Sequence, residues 1–161
     1  MFFLRLLILI NIMLEQMPRK RLEKEIRAFL KTRKILVLCT CDNNIPRATP
    51  MDFYMEKGED NYYLYVGLSP GRKIENIKNN PIVSIGIYTP MDTGKIQGMQ
   101  ITSTGEEHLI FLEEGVEGFE KAQRIVRGKR KLILKIIPEK IELLDYDFVK
   151  ENYSRFQILE L

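Results

Sequence analysis

Gly67-Leu68-Ser69-Pro70-Gly71-Arg72-Lys73-Ile74-Glu75-Asn76-Ile77-Lys78-Asn79-Asn80-Pro81 joins two apolar runs, Tyr62-Tyr63-Leu64-Tyr65-Val66 before it and Ile82-Val83-Ser84-Ile85-Gly86-Ile87-Tyr88 after it. Both runs are rich in β-branched and aromatic residues and read as strands. Between them the chain has to turn, start a short helix and stop it. Ser69 is an N-cap residue type, and Pro70 suits a first helical position, where its missing N–H costs nothing. Ile74 and Ile77 are spaced to face a core. Asn79-Asn80-Pro81 ends the helix, because the residue before a proline avoids the helical region. The free N–H groups of the helix start then lie beside Arg72 and Lys73. Backbone donors, the positive end of the helix dipole and two cations together suit a phosphate. The bland alternative is a solvated basic turn.

Outward from this stretch, the sequence reads as a series of strands. Ile35–Cys41 is apolar on both faces, as a buried strand would be. Asp42-Asn43-Asn44 is a turn signal. A second strand is expected from Arg47 to Glu56, with Pro46 and Pro50 limiting its pairing. A long strand region runs from Ile96 to Ile110, with Gly98 and Gly105 as candidate bulges. Lys131–Ile137 and Ile141–Tyr146 complete the set. Two amphipathic helices flank them: Arg19–Arg33, with Leu22, Ile26, Phe29 and Leu30 in one stripe, and Glu113–Val126, with Val116, Phe119, Ala122 and Val126 inward. The tail from Asp147 to Leu161 is too short to be a domain. Turn-length connections and the absence of βαβ alternation predict a mainly β fold with flanking helices. The expected architecture is a mostly antiparallel barrel of six or seven strands.

The chain has 161 residues and 45% hydrophobic content, enough for one domain with a sizeable core. A net charge of +3 permits an anionic ligand without announcing nucleic acid. A nucleic-acid barrel would alternate aromatics with Lys or Arg on one exposed face, and the tyrosine strand carries no basic residue. The apolar residues 1–16 form a segment apart from a domain spanning 17–161. The run is too short to cross a membrane comfortably and lacks a clear signal-peptide cleavage site. It reads either as a weak membrane-associating segment or as sequence upstream of the real start, with Met13 and Met17 as candidate starts. The second reading is favoured, with a cytoplasmic protein and no membrane or nucleic-acid partner.

The absences are informative. With one histidine, His108, a His-based triad or a multi-histidine metal site is hard to build. Cys39 and Cys41 point to one face of a strand, but no further cysteine completes a metal set. There is neither a P-loop nor a Gly-x-Gly-x-x-Gly fingerprint. The basic cluster Arg124, Arg127, Lys129, Arg130, Lys131 reads as a solvated helix cap. One anion cradle with little acid–base machinery fits a cofactor that brings its own chemistry.

The run Tyr63–Lys73, followed by Ile74 to Ser84 through Asn80-Pro81, resembles the FMN-binding split barrel of the pyridoxamine 5′-phosphate oxidase-like superfamily. Ile45-Pro46-Arg47-Ala48-Thr49-Pro50-Met51 matches the place of that family's arginine-containing second strand. The resemblance covers roughly Lys20 to Tyr146 in order of elements. It implies a split β-barrel with bound FMN, its phosphate held by Arg72 and Lys73. By the same resemblance Arg47 faces the phosphate or ribityl chain, and the backbone of Thr49, Pro50 and Met51 runs along the isoalloxazine ring. Val66 and Gly67 line the cofactor from the adjacent strand. Gln100 is the counterpart of a strand glutamine near the flavin, with Gln97 as the competing choice. The resemblance further implies a homodimer with FMN at the interface. It points to an oxidoreductase passing hydride or electrons to a small molecule, with no catalytic side chain identified. A deazaflavin or haem, or a flavin module without turnover, would use the same barrel. Pro70-Gly71 departs from the family's usual residues before Arg-Lys. No C-terminal Arg-x-His-type motif is present, which argues against pyridoxamine phosphate oxidation itself.

Overall fold

A computed structural model describes residues 14–90 and 94–161. The start-site reading of residues 1–13, and residues 91–93 of the loop after Tyr88, lie outside the described residues. Among the described residues, ten strands form two antiparallel sheets. Helix α1 (Arg19–Lys31) comes first, followed by β1 (Ile35–Asp42), β2 (Ile45–Asp52), β3 (Tyr54–Lys57) and β4 (Tyr62–Leu68). Helix α2 (Arg72–Asn79) leads to β5 (Ile82–Tyr88), β6 (Gln97–Thr104) and β7 (Leu109–Glu113). Helix α3 (Phe119–Ile125), β8 (Leu132–Ile136), β9 (Lys140–Asp145), a 3-10 turn (Tyr146–Glu151) and β10 (Phe156–Glu160) complete the fold. The larger sheet runs β10-β9-β6-β5-β1-β2 and the smaller one β3-β4-β8-β7.

The strand count exceeds the expected six or seven for three local reasons. Phe53 is buried between β2 and β3, and its N–H donates to the Lys34 carbonyl at 3.1 Å, so the expected Arg47–Glu56 strand bends from one sheet into the other. Gly105, at φ 86°, is a turn rather than a bulge and divides the Ile96–Ile110 region into β6 and β7. The tail contributes β10 because Gln157 and Leu159 are buried against β9 and the segment before α1. Gln157 Oε1 accepts from the Met17 N–H at 2.7 Å, and the Ser154 N–H donates to the Glu15 carbonyl at 3.0 Å.

The alternation of β1 buries Leu36, Leu38 and Thr40 on one face, against the smaller sheet and α1. The other face, bearing Val37, Cys39 and Cys41, is only half covered, so β1 is not buried on both sides as its composition implied. Leu22, Ile26, Phe29 and Leu30 of α1 all enter the main core. Each such burial is worth about 1.5–3 kcal/mol. Helix α3 is shorter than its pattern predicted: Glu114–Gly118 is turn, and Val116 is exposed rather than inward. Phe119, Ala122 and Val126 pack with Tyr65, Leu112 and Ile133 into a second small core outside the smaller sheet.

Candidate functional site

Two edges fail to meet, and the candidate site is built on them. Strand β2 is the end strand of the larger sheet, paired with β1 from Ile35–Asp52 to Asp42–Ile45. The register runs unbroken through Pro46 and Pro50. Proline has no N–H to give the ladder, so both nitrogens stand on the side away from β1, where edge strands tolerate proline. Across the gap, the β3–β4 ladder ends at Tyr54–Tyr65, leaving Val66, Gly67 and Leu68 of β4 paired on the β8 side alone. The split between these two edges is closed at one end by β3. Beyond the other, β4 leads through Ser69 and Pro70 into α2.

Helix α2 starts two residues later than its sequence predicted. Arg72 is the first helical residue, and Gly71 occupies the N-cap with no side-chain cap. Ser69 and Pro70 lie outside the helix and are exposed. Gly71 adopts φ 153°, ψ 179°, a conformation that L side chains rarely take, and this sets the position of the helix start. The first N–H groups of the helix are therefore free of side-chain acceptors. Arg72 is exposed and Lys73 half-buried. Neither they nor Arg47 forms an ion pair among the described residues, in contrast to Arg21, Lys121, Arg130 and Lys140. These three uncompensated cations, two of them at the open helix start, are the candidate anion cradle.

Asparagines set the helix on the sheet. The buried Asn76 amide donates to Thr40 Oγ1 at 3.0 Å. Asn79 Nδ2 donates to Asp42 at 3.1 Å, and Asn80 Nδ2 donates to the Cys41 carbonyl at 2.9 Å. Thr40 stands opposite Arg47 in the β1–β2 register. Arg47 therefore shares an end of the sheet with α2, whose Arg72 and Lys73 lie one turn before Asn76. The polar residues that stop the helix also dock it.

The other residues singled out by the resemblance fall as follows. Thr49 is half-buried opposite Leu38, Pro50 is on the open edge, and the Met51 side chain packs against the core. The Val66 side chain is wholly buried, so Val66 offers the split its backbone alone. Gly67 is covered: a Cβ there would lie 2.7 Å from Arg130 Nε. Gln100 is not brought to the cradle. It lies on the outward face of the larger sheet, level with Gly86 and Glu142, in a hollow of about 320 Å³ also lined by Val37, Leu144 and Phe156. Gln97 is tied to Asp145 and Thr89 at 2.5 and 3.3 Å and is a structural residue.

Arg130 was missed. Its run read as solvated, yet its Nη2 donates to Asp52 at 3.3 Å and its Nε is buried without a partner. Beside Asp52, a cavity of about 650 Å³ opens at the β2–β3 bend, with Lys31, Arg33, Lys34 and Arg127 around an apolar floor of Leu30, Phe53, Met55 and Ile125. His108 sits in the Gly105 turn rather than in a strand, its Nδ1 2.7 Å from the Thr104 carbonyl. Among the described residues no cluster of His, Cys, Asp or Glu is placed to hold a metal, and no helix is long and apolar enough to cross a membrane.

An antiparallel split barrel with a cationic cradle at a helix start defines a class of protein. The family model described as pyridoxamine 5′-phosphate oxidase matches residues 22–145, and the chain belongs to that family. No curated protein matches it in sequence. Among solved structures it is similar to General Stress Protein 26 from Bacillus anthracis, with 19% identity and a TM-score of 0.59 over 87% of this chain and 98% of that one. HupZ from Group A Streptococcus gives 19% identity and 0.58, over 76% and 94%. An FAD-binding protein from Mesorhizobium loti gives 16% and 0.54, over 74% and 89%. At these identities the likeness is one of fold.

Proposed function

We propose that the chain is an FMN-binding flavoprotein that passes hydride or electrons to a small anionic acceptor, working as a homodimer. The observation that carries the reading is the trio Arg47, Arg72 and Lys73, unpaired among the described residues at the end of an open strand edge. The family generally binds flavin, and one structural neighbour is an FAD-binding protein.

The residues fit the group. Arg72, Lys73 and the open N–H groups of α2 would take the phosphate, with Arg47 completing the charge balance. Val66–Leu68 of β4 and Thr49–Met51 of β2 would flank the rest, with the Pro50 carbonyl directed to the open edge. Bound FMN supplies the redox chemistry, accepting and releasing hydride or single electrons. The chain's own part is to bind, orient and exclude water. The basic cavity beside Asp52 adjoins the same edge, and its four cations around an apolar floor favour an anionic acceptor.

Gln100 faces away from the cradle of its own chain, on a surface that also exposes Ile35, Tyr88, Phe156 and Ile158. Pairing of two chains through this face would carry Gln100 toward the partner's split. The family is typically dimeric.

The test is the visible spectrum of the purified full chain before and after addition of FMN, with heat release of any bound chromophore. The expected result is a flavin spectrum and released FMN. A colourless protein that FMN does not perturb overturns the reading, and a deazaflavin or haem spectrum reassigns the cofactor.

A further inference from the structure

Arg130 bridges the split. Its side chain lies on the face of Gly67, its Nε 2.7 Å and its Cδ 2.8 Å from where a Cβ would stand, so a glycine is what lets it reach β4. From there its Nη2 reaches Asp52 at the end of β2, at 3.3 Å. The guanidinium thus joins the two edges that no backbone ladder joins. Its backbone is held in place: the Arg130 N–H donates to Gln123 Oε1 at 3.1 Å, and Gln123 Nε2 donates to the Gly128 carbonyl at 2.8 Å. Gln123 on α3 therefore fixes the loop that aims Arg130.

The arrangement leaves one donor over. Asp52 is engaged through a single oxygen, and Nε is buried with no acceptor. Buried guanidinium N–H groups are normally satisfied, and the exceptions call for a partner. An arginine and a carboxylate are frequently joined by two parallel bonds, and this pair is joined by one. Here the second arm of the guanidinium fork, Nε, is left without an acceptor where the side chain crosses from Gly67 to Asp52.

Arg130 is also at the wrong end of the split to serve the phosphate. Arg47 marks the cradle end of β2 and Asp52 the other, five residues or about 17 Å of strand away. Arg130 therefore stands toward the end of the split opposite Arg47.

We propose that Arg130 discriminates the reduced from the oxidised cofactor, an inference that rests on the flavin reading above. Uptake of a hydride, two electrons and one proton, adds one negative charge to an oxidised flavin. A guanidinium fixed beside the ring, with an unsatisfied N–H and only partial neutralisation by Asp52, favours that added charge. The phosphate charge is the same in both redox forms, so Arg72 and Lys73 do not discriminate.

The experiment is anaerobic titration of the full chain with oxidised FMN and with dithionite-reduced FMN, for the unaltered protein, Arg130→Ala, Arg130→Lys and Arg72→Ala. Arg130→Ala is expected to lower the preference for reduced over oxidised FMN about tenfold, equivalent to a midpoint about 30 mV lower for a two-electron couple. Arg130→Lys keeps part of the preference, because it keeps the charge. Arg72→Ala weakens both forms by the same factor. If Arg130→Ala weakens both forms equally, or neither, the proposal is overturned while the flavin reading stands. If the unaltered chain binds neither form, the flavin reading fails and takes the proposal with it.

Discussion

The buried Asn76 amide donates to the Thr40 hydroxyl at 3.0 Å, and through that one bond the helix bearing Arg72 and Lys73 is locked to the strand that pairs with Arg47. Both partners are nearly inaccessible, Asn76 at 8% and Thr40 at 4%. Asn76→Ala leaves a buried hydroxyl without its donor, at a cost of about 1–3 kcal/mol. Urea denaturation should show that loss, and FMN affinity should fall with it because the cradle is no longer held in register. An unchanged midpoint would mean that Asn79 and Asn80 dock the helix without it.

The cradle makes a graded prediction. A charge-assisted hydrogen bond is worth about 1.5–3 kcal/mol, so Arg72→Ala weakens FMN about 10- to 150-fold, and Lys73→Ala does so to a similar degree. Lys78→Ala has little effect, since Lys78 lies over the Phe111 ring, 5.8 Å from its centroid, on the far part of the helix. Riboflavin, which lacks the phosphate, should bind all three variants alike. Fluorescence quenching titrations decide it: equal, negligible effects of the three substitutions on FMN would remove the phosphate from this helix.

Much of this was legible along the chain because its signals are local. β-Branched and aromatic content marks β4 and β5, the 3.6-residue stripe marks α1, and Asn79-Asn80-Pro81 marks the end of α2. What was not legible depends on contacts between distant residues. The bend at Phe53 leaves the apolar pattern of β2 and β3 uninterrupted, because it is made by the Lys34 carbonyl, nineteen residues upstream. Ser69 has the composition of a cap, but Gly71 takes the position because the chain needs a backbone conformation that a serine avoids. Arg130 sits in a run of cations, and such runs are usually solvated. Only the absence of a side chain at Gly67, sixty-three positions earlier, gives it a buried seat. Gln100 shows a further limit, since a single chain does not contain what it faces.

The smaller sheet carries an acid-sensitive contact. Lys121 donates to Glu56 at 2.8 Å, and the Tyr65 hydroxyl donates to the same carboxylate at 2.9 Å, tying α3 and β4 to β3. These bonds, Lys121 first, hold the Glu56 carboxyl below its ordinary value, and burial followed by the Glu56 bond pushes the Tyr65 phenol up. A depressed carboxylate stabilises the fold fully above its unfolded value, about 4.3, and that contribution is lost as pH falls through the lower folded value. Because Lys121 is well exposed, water screens the pair and the effect stays under about 1 kcal/mol. Glu56→Gln should therefore lower stability slightly at pH 7 and flatten its decline between pH 5 and 3. Parallel decline of the two proteins in urea titrations across that range would show that Glu56 is not a source of the acid sensitivity.

The outward face of the larger sheet offers a clean test of pairing, because Gly86 sits in the middle of it. A Cβ at Gly86 would meet nothing within 4 Å, so a long side chain there leaves the chain's own packing intact. The surrounding hollow is lined by Val37, Tyr88, Gln100, Leu144 and Phe156, with Tyr88 67% and Phe156 59% exposed. Apolar residues in that density on one sheet face mark a surface that another protein covers. Gly86→Arg places a charge into the hollow, and the desolvation penalty falls on the paired state alone. Sedimentation should show a dimer for the unaltered chain and a monomer for the variant, with the unfolding midpoint of the isolated chain little changed. If FMN sits at the junction of two chains, the monomeric variant also loses affinity although Gly86 is on the opposite face from Arg72. A dimer that persists in Gly86→Arg places the junction elsewhere, and a monomer that binds FMN at full strength shows that one chain holds the whole site.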